Sequence, residues 1–256
     1  MSGRNARFVL RLDSGQRLTT SGATSANATY ALQRPLTVFS AQVVSVTIPN
    51  TMFQINSTNK RVDTSLGTVI IPAGTYTAAG LATQLQALLV ALDATFIVAY
   101  NTTNGKYSIS RTGAFSLLFA TGVNAAISAA RVLGFDPTDH TLAAGYTGEN
   151  VADLTSPAYV HVNSMALARG SGETIGPTPS STRPTKSNVI ARVPLTGVFG
   201  GMSTWEQALW DEDLAYERAG ALVSEVDLYL TDERGAIIDL NGREWAIDIS
   251  LVASSQ

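Results

Sequence analysis

The chain has 256 residues, of which 45% are hydrophobic and only 14% charged, with a net charge of −3, two histidines and no cysteine. That length suits one large β domain or a domain with an insertion, and the charged fraction is well below the roughly 25% of an average soluble domain. Disulfides and thiolate metal sites are excluded, the slight negative balance argues against nucleic-acid binding, and no opening h-region or apolar run of roughly 18 residues predicts a signal peptide or membrane helix.

Residues 1–35 are polar and Thr/Ser-rich, with one strand-like run at 8–12 (FVLRL) and a basic cluster of Arg4, Arg7 and Arg11. They are expected to form an N-terminal arm, with 13–28 as loop. Residues 36–48 (LTVFSAQVVSVTI) are the strongest strand, and alternation places Val44, Val46 and Ile48 on one face. Pro49 ends it, and residues 52–55 and 69–72 read as short strands.

A helix follows: Leu81, Leu85, Leu88, Leu89 and Leu92 make one apolar stripe, Thr77 is the expected N-cap, and Tyr76 with Leu81 fits a hydrophobic staple. Residues 96–100 and 107–110 are expected to pair across Asn104-Gly105, 115–119 to form a third strand, and 124–132 a short helix with Gly134 just past its end. Residues 66–136 therefore read as an inserted α+β subdomain, a helix on a β-meander.

Strands resume at 157–167, with Val160 and Val162 opposite Tyr159, His161, Asn163 and Met165. Residues 169–188 are a Gly/Pro/Ser/Thr-rich loop, far longer than the usual 4–6 residues. Residues 189–195 are a strand, 197–201 (GVFGG) a turn, and 204–218 an irregular stretch. Residues 226–252 close the chain as a hairpin whose last strand sets Trp245, Ile247, Ile249 and Leu251 on one face. The fold class is mainly all-β: a single eight-stranded antiparallel jelly-roll sandwich from 36–65 and 137–256, carrying the inserted helix-plus-β-meander subdomain.

Chemistry-bearing constellations are sparse. His140 and His161 would need a carboxylate such as Asp139 or Glu173 to make a two-histidine metal site. Asp211, Glu212 and Asp213, with Glu206 and Glu217 nearby, are the only acidic cluster, and consecutive acids point in different directions. Neither a nucleophile elbow nor a phosphate loop is present. Trp245 reads as core, and Trp205 and Trp210 as core or interface anchors. No residue is assigned a catalytic, cofactor-binding or metal-binding role, and no cofactor is expected.

The string 69–77 (VIIPAGTYT) before the Leu-rich helix, then 100–109 (YNTTNGKYSI), 133–135 (LGF), 46–53 (VTIPNTMF) and 238–249 (IDLNGREWAIDI), in that combination, resembles the single jelly-roll penton proteins of virophages, polinton-like viruses and related large DNA viruses. The resemblance covers most of 40–135 and 225–252, while 140–220 matches nothing. It implies a non-enzymatic structural protein at the five-fold vertices of an icosahedral double-stranded DNA virus capsid. It further implies a homopentamer that contacts major capsid protein trimers and, in the virion, minor capsid proteins or a vertex fibre. The alternatives are a minor capsid or spike-base protein, or a carbohydrate-binding β-sandwich.

Overall fold

The structure, a computed structural model, describes residues 6–19, 22–155, 157–168, 173–174, 185–186, 188–207, 216–233 and 235–255. In chain order the strands are β1 (Ala6–Asp13), β2 (Asn27–Pro49), β3 (Arg61–Thr64), β4 (Gly67–Ile70), then helix α1 (Ala78–Val90), β5 (Ile97–Asn101), β6 (Lys106–Leu118) and β7 (Asp139–Thr147). They continue with β8 (Tyr159–Asn163), β9 (Glu173–Thr174), β10 (Thr185–Lys186), β11 (Val189–Pro194), β12 (Met202–Glu206), β13 (Tyr216–Thr231) and β14 (Ala246–Ser255). Contacts divide the chain into two units, one of Met1–Met52 with Pro157–Gln256 and one of Phe53–Ser156.

The first unit is an antiparallel sheet of seven strands in the order β1-β14-β2-β13-β8-β11, with β12 also on β2. Strand β2 organises it. β14 runs along one side of residues 36–47, while β13 takes residues 27–41 and β12 residues 45–49 of the other. The pairing with β13 jumps from Leu36 to Ala31, across a stretch that contains Pro35, which has no N–H to donate to a ladder. The all-β antiparallel build is that expected of a jelly-roll, with seven strands rather than eight in this sheet.

One apolar cluster fills this unit. It takes Val38, Val43, Val46 and Ile48 from β2, Val160 and Val162 from β8, Val226, Leu228 and Leu230 from β13, and Ile247, Ile249 and Leu251 from β14. The expected face of β2 needs one correction. Val46 and Ile48 are buried, but Val44 is exposed. The β2–β14 register passes from Ser45 to Val43 opposite consecutive residues Asp248 and Ile249, and from Ser40 to Val38 opposite Val252 and Ala253. Val44 and Phe39 are thus the extra residues of two bulges, and each bulge resets which side chains face inward.

The described residues of the first 35 are tied into the sheet rather than standing off as an arm. β1 pairs along its whole length with β14, and residues 27–31 pair with β13. Between them Ser14 is held to the closing strand: its N–H donates to the Trp245 carbonyl and its Oγ accepts from the Trp245 N–H, both at 2.9 Å. Arg17 pairs with Glu244 at 2.9 Å. These long-range pairs convert a Thr/Ser-rich stretch into sheet, which no local pattern announces.

The second unit is a five-stranded antiparallel sheet, β4-β3-β6-β5 with β7 also on β6, covered by α1. The helix follows the sequence expectation. Leu81, Leu85 and Leu89 are fully buried, and the Thr77 hydroxyl accepts from the Gly80 N–H at 3.1 Å. The β5–β6 hairpin forms around Asn104-Gly105, with Gly105 at φ +70. Two expectations fail. Residues 115–119 are not a separate strand, because β6 continues through to Leu118 with register shifts against β7. Residues 124–132 hold only a 3₁₀ turn at Ala125–Ile127, because Ser128 bridges to Arg61 and the Ala129 N–H donates to the Arg61 carbonyl at 2.7 Å. The inserted unit also exceeds the expected 66–136. β3 and β7 lie outside those limits yet pair with β4 and β6.

Candidate functional site

The two histidines lie in different units. His140 is ringed by Phe119, Phe135 and Tyr146 with centroids 6.0, 5.4 and 5.6 Å away, and its Nδ1 is 3.6 Å from Glu149 Oε1. His161 stands beside Tyr159 at 5.1 Å, and the Arg192 guanidinium sits 3.4 Å over the Tyr159 ring. Burial first, and Arg192 second, lower the His161 pKa and favour the neutral imidazole. Asp139 is engaged by the Ala120 N–H at 2.8 Å and by Thr121. Among the described residues no group of three or more His, Asp or Glu could hold a metal ion. Arg4, Trp210, Asp211, Glu212, Asp213 and the side chains of Glu173 and Glu217 lie outside the described residues, as does most of the 169–188 loop. Glu206 is exposed on β12.

The most heavily bonded buried carboxylate is structural. Asp63 on β3 accepts from the Thr68 hydroxyl at 2.6 Å, the Asn124 amide side chain at 2.9 Å and the Asn124 N–H at 2.7 Å. Burial pushes its pKa up, but these three bonds together outweigh that and hold the carboxyl below the ordinary range. A folded-state pKa below the unfolded one means stability present above the unfolded value and lost as pH falls through the folded value. The melting temperature is therefore expected to drop more steeply on acidification below the usual carboxylate range in the native chain than in Asp63→Asn. Parallel pH–melting curves would argue against this network.

Large apolar side chains are exposed at several places among the described residues, Val123, Leu142 and Val151 among them, and one group lies on a braced turn. The turn between β11 and β12 is braced by Asn50, at the end of β2. The Asn50 N–H donates to the Gly201 carbonyl at 2.8 Å, its carbonyl accepts from the Gly200 N–H at 2.7 Å, and its Nδ2 donates to the Gly197 carbonyl at 2.7 Å. The buried Ser203 hydroxyl accepts from the Gly197 N–H at 3.0 Å. Gly200 sits at φ +85, a conformation glycine adopts without steric cost. The turn so fixed holds Val198 81%, Phe199 46% and Met202 51% exposed. Trp205, three residues on, is partly buried against the core, and Trp245 is fully within it. Sequence reading placed a turn at 197–201 but missed its brace, since Asn50 and Gly197 are 147 residues apart. The one signal was the Asn following Pro49.

No protein-family model matches the sequence, and no curated protein matches it. Solved structures similar to this chain include two from virophages. One is the selenomethionine-labelled mavirus penton protein, at 10% identity and a TM-score of 0.45, covering 97% of this chain and 100% of that one. The other is a chain of the Sputnik virophage solved by cryo-EM, at 13% identity and a TM-score of 0.45, covering 97% of each.

No helix among the described residues is long and apolar enough to cross a membrane. What this turn offers chemically is apolar surface, at Val198 and Met202, on a hydrogen-bonded frame.

Proposed function

We propose that this chain is a structural penton protein, forming the five-fold vertices of an icosahedral DNA-virus capsid as a homopentamer and contacting major capsid protein trimers. The penton identity draws on the motif order from 46–53 through 238–249 and on the all-β jelly-roll build. The assembly role draws on one observation above others: Val198 and Met202, exposed on a turn fixed by Asn50 and Ser203. Exposed apolar side chains on a pre-ordered turn favour association, because little conformational entropy remains to be lost on binding. The low charge of the chain suits a surface packed against neighbours, since charge is depleted at interface centres. Protomers placed side by side in a ring meet through two different surfaces, and such a contact closes when its rotation is right.

The test is a pair of charged substitutions. Val198→Asp and Met202→Asp are each expected to weaken ring formation at least about tenfold, as truncating a central apolar anchor does. Surface positions of this kind shift stability by only about 0.5 kcal/mol, so the melting temperature should hold. Rings that form unchanged in both variants would remove the turn from the interface. A stable dimer or trimer would favour a spike-base role.

A further inference from the structure

The first unit's sheet has two flanks of opposite charge. Among the described residues β1 pairs with β14 alone and β12 with β2 alone, so the run β1-β14-β2-β12 ends at each side in an edge strand. Three rows of directly opposed residues cross all four strands. One is Arg11, Asp248, Ser45 and Glu206; the next is Leu12, Ile247, Val46 and Trp205; the third is Asp13, Ala246, Thr47 and Thr204. Opposed residues share a face of the sheet.

Ile247 and Val46 are buried in the core, so the second row faces inward. Leu12 and Trp205, at its two ends, pack against that core but stay only partly buried. The other two rows face the opposite way, and their end residues are exposed: Arg11 and Asp13 on β1, Thr204 and Glu206 on β12. A strand edge of this kind is a template for pairing, and the charges select the pairing. Two copies of β1 placed antiparallel about Val9 would set Arg7 opposite Arg11, and like charges directly opposite are destabilising. β12 reads MSTWE, so a second β12 offers Glu206 no cation. β1 against β12 meets both needs. Three antiparallel pairings separate the two strands, so β12 runs antiparallel to β1. A second copy in the same orientation therefore continues the antiparallel order and extends the rows, with its Arg11 following Glu206, its Leu12 following Trp205 and its Asp13 following Thr204.

We infer that the occupant of the β12 flank is a second copy of this chain, seated by its β1 flank with Arg11 beside Glu206 and Leu12 beside Trp205. This deepens the ring reading, on which it rests, by naming the two surfaces that meet. The turn at 198–202 leads directly into β12, so turn and strand lie on the same side of the contact. Two different flanks in contact make a head-to-tail interface, the kind that can close into a ring.

The chain has no cysteine, so two single variants, Asp13→Cys and Thr204→Cys, report the contact when the proteins are mixed and oxidised. Within one chain the two positions are three strand spacings apart, about 14 Å, whereas a disulfide needs Cα atoms within about 7 Å. The expected product is a disulfide between position 13 of one copy and position 204 of another. In a second arm, Arg11→Glu and Glu206→Arg are each expected to weaken association at least about fivefold, and the double variant carrying both to restore it. All four positions are exposed, so melting curves should stay close to native; the charge rescue decides even where a cysteine variant fails to fold. Links joining position 13 to 13 or 204 to 204 instead would overturn the inference, as would a chain that stays monomeric. Five-fold rings that neither link 13 to 204 nor respond to the charge variants would overturn it and leave the ring reading intact. Links of 13 to 204 in open chains without rings would keep the contact and overturn the ring of five.

Discussion

Trp245→Ala is expected to lower stability by about 3–5 kcal/mol, the usual range for removing a large aromatic from a core. Trp245 begins the closing edge of the first unit's core and is 3% exposed. Its indole N–H donates to the Ser25 carbonyl at 2.6 Å, and its backbone exchanges two hydrogen bonds with Ser14. Alanine keeps the backbone pair but empties the indole volume and leaves the Ser25 carbonyl buried without its donor, a loss of about 1–3 kcal/mol by itself. Trp245→Phe restores much of the ring without the N–H, so it should fall between the two. Urea midpoints give the order: native, then phenylalanine, then alanine. A shift in the alanine variant worth less than about 1 kcal/mol, the scale of an ordinary point mutation, would contradict the placement of this side chain.

Gly134→Val should disrupt the second unit. Gly134 sits at φ +77, where a β-branched residue is strained by about 1–2 kcal/mol or more. A Cβ there would also lie 2.4 Å from the Asn150 carbonyl oxygen and 3.1 Å from the Ala152 nitrogen. Both obstacles are backbone, and the Asn150 N–H is itself bonded to the Gly134 carbonyl at 2.8 Å. The strand-end segment at 150–152 would have to move away, taking with it the Ala152 N–H bond to the Gly105 carbonyl at the β5–β6 turn. The expected loss exceeds about 3 kcal/mol, the upper part of the range for single substitutions. Hydrogen exchange should show lost protection in β6, read at Tyr107 and Ile109. Retained protection there would contradict the close approach of residue 134 to residues 150–152.

Local chemistry was legible in the sequence. The leucine stripe, the Thr77 cap, the Asn104-Gly105 hairpin and the buried face at Trp245, Ile247, Ile249 and Leu251 all follow from periods of 3.6 and 2 and from turn preferences. What escaped depends on partners far along the chain. The bulges at Phe39 and Val44 exist only against β14, so alternation alone put Val44 on the wrong face. The stretch after Asn124 has helical composition but gives its backbone to Arg61. β6 passes through Thr112 and Gly113, between the two strands expected at 107–110 and 115–119, because β7 pairs on both sides of them. The expected insertion limits leave out β3 and β7 for the same reason, as the membership of both is decided by pairing with β4 and β6. The candidate surface was half legible. The GVFGG composition announces a turn, but its rigidity comes from Asn50 at the far end of another strand, and what it displays follows from that brace.

Assembly as a ring of five, as proposed, is tested most directly by electron microscopy of the purified protein with its mass measured in solution. The expected result is five-fold rings at five times the protomer mass of 26.9 kDa. A stable dimer or trimer as the sole assembled species would contradict it.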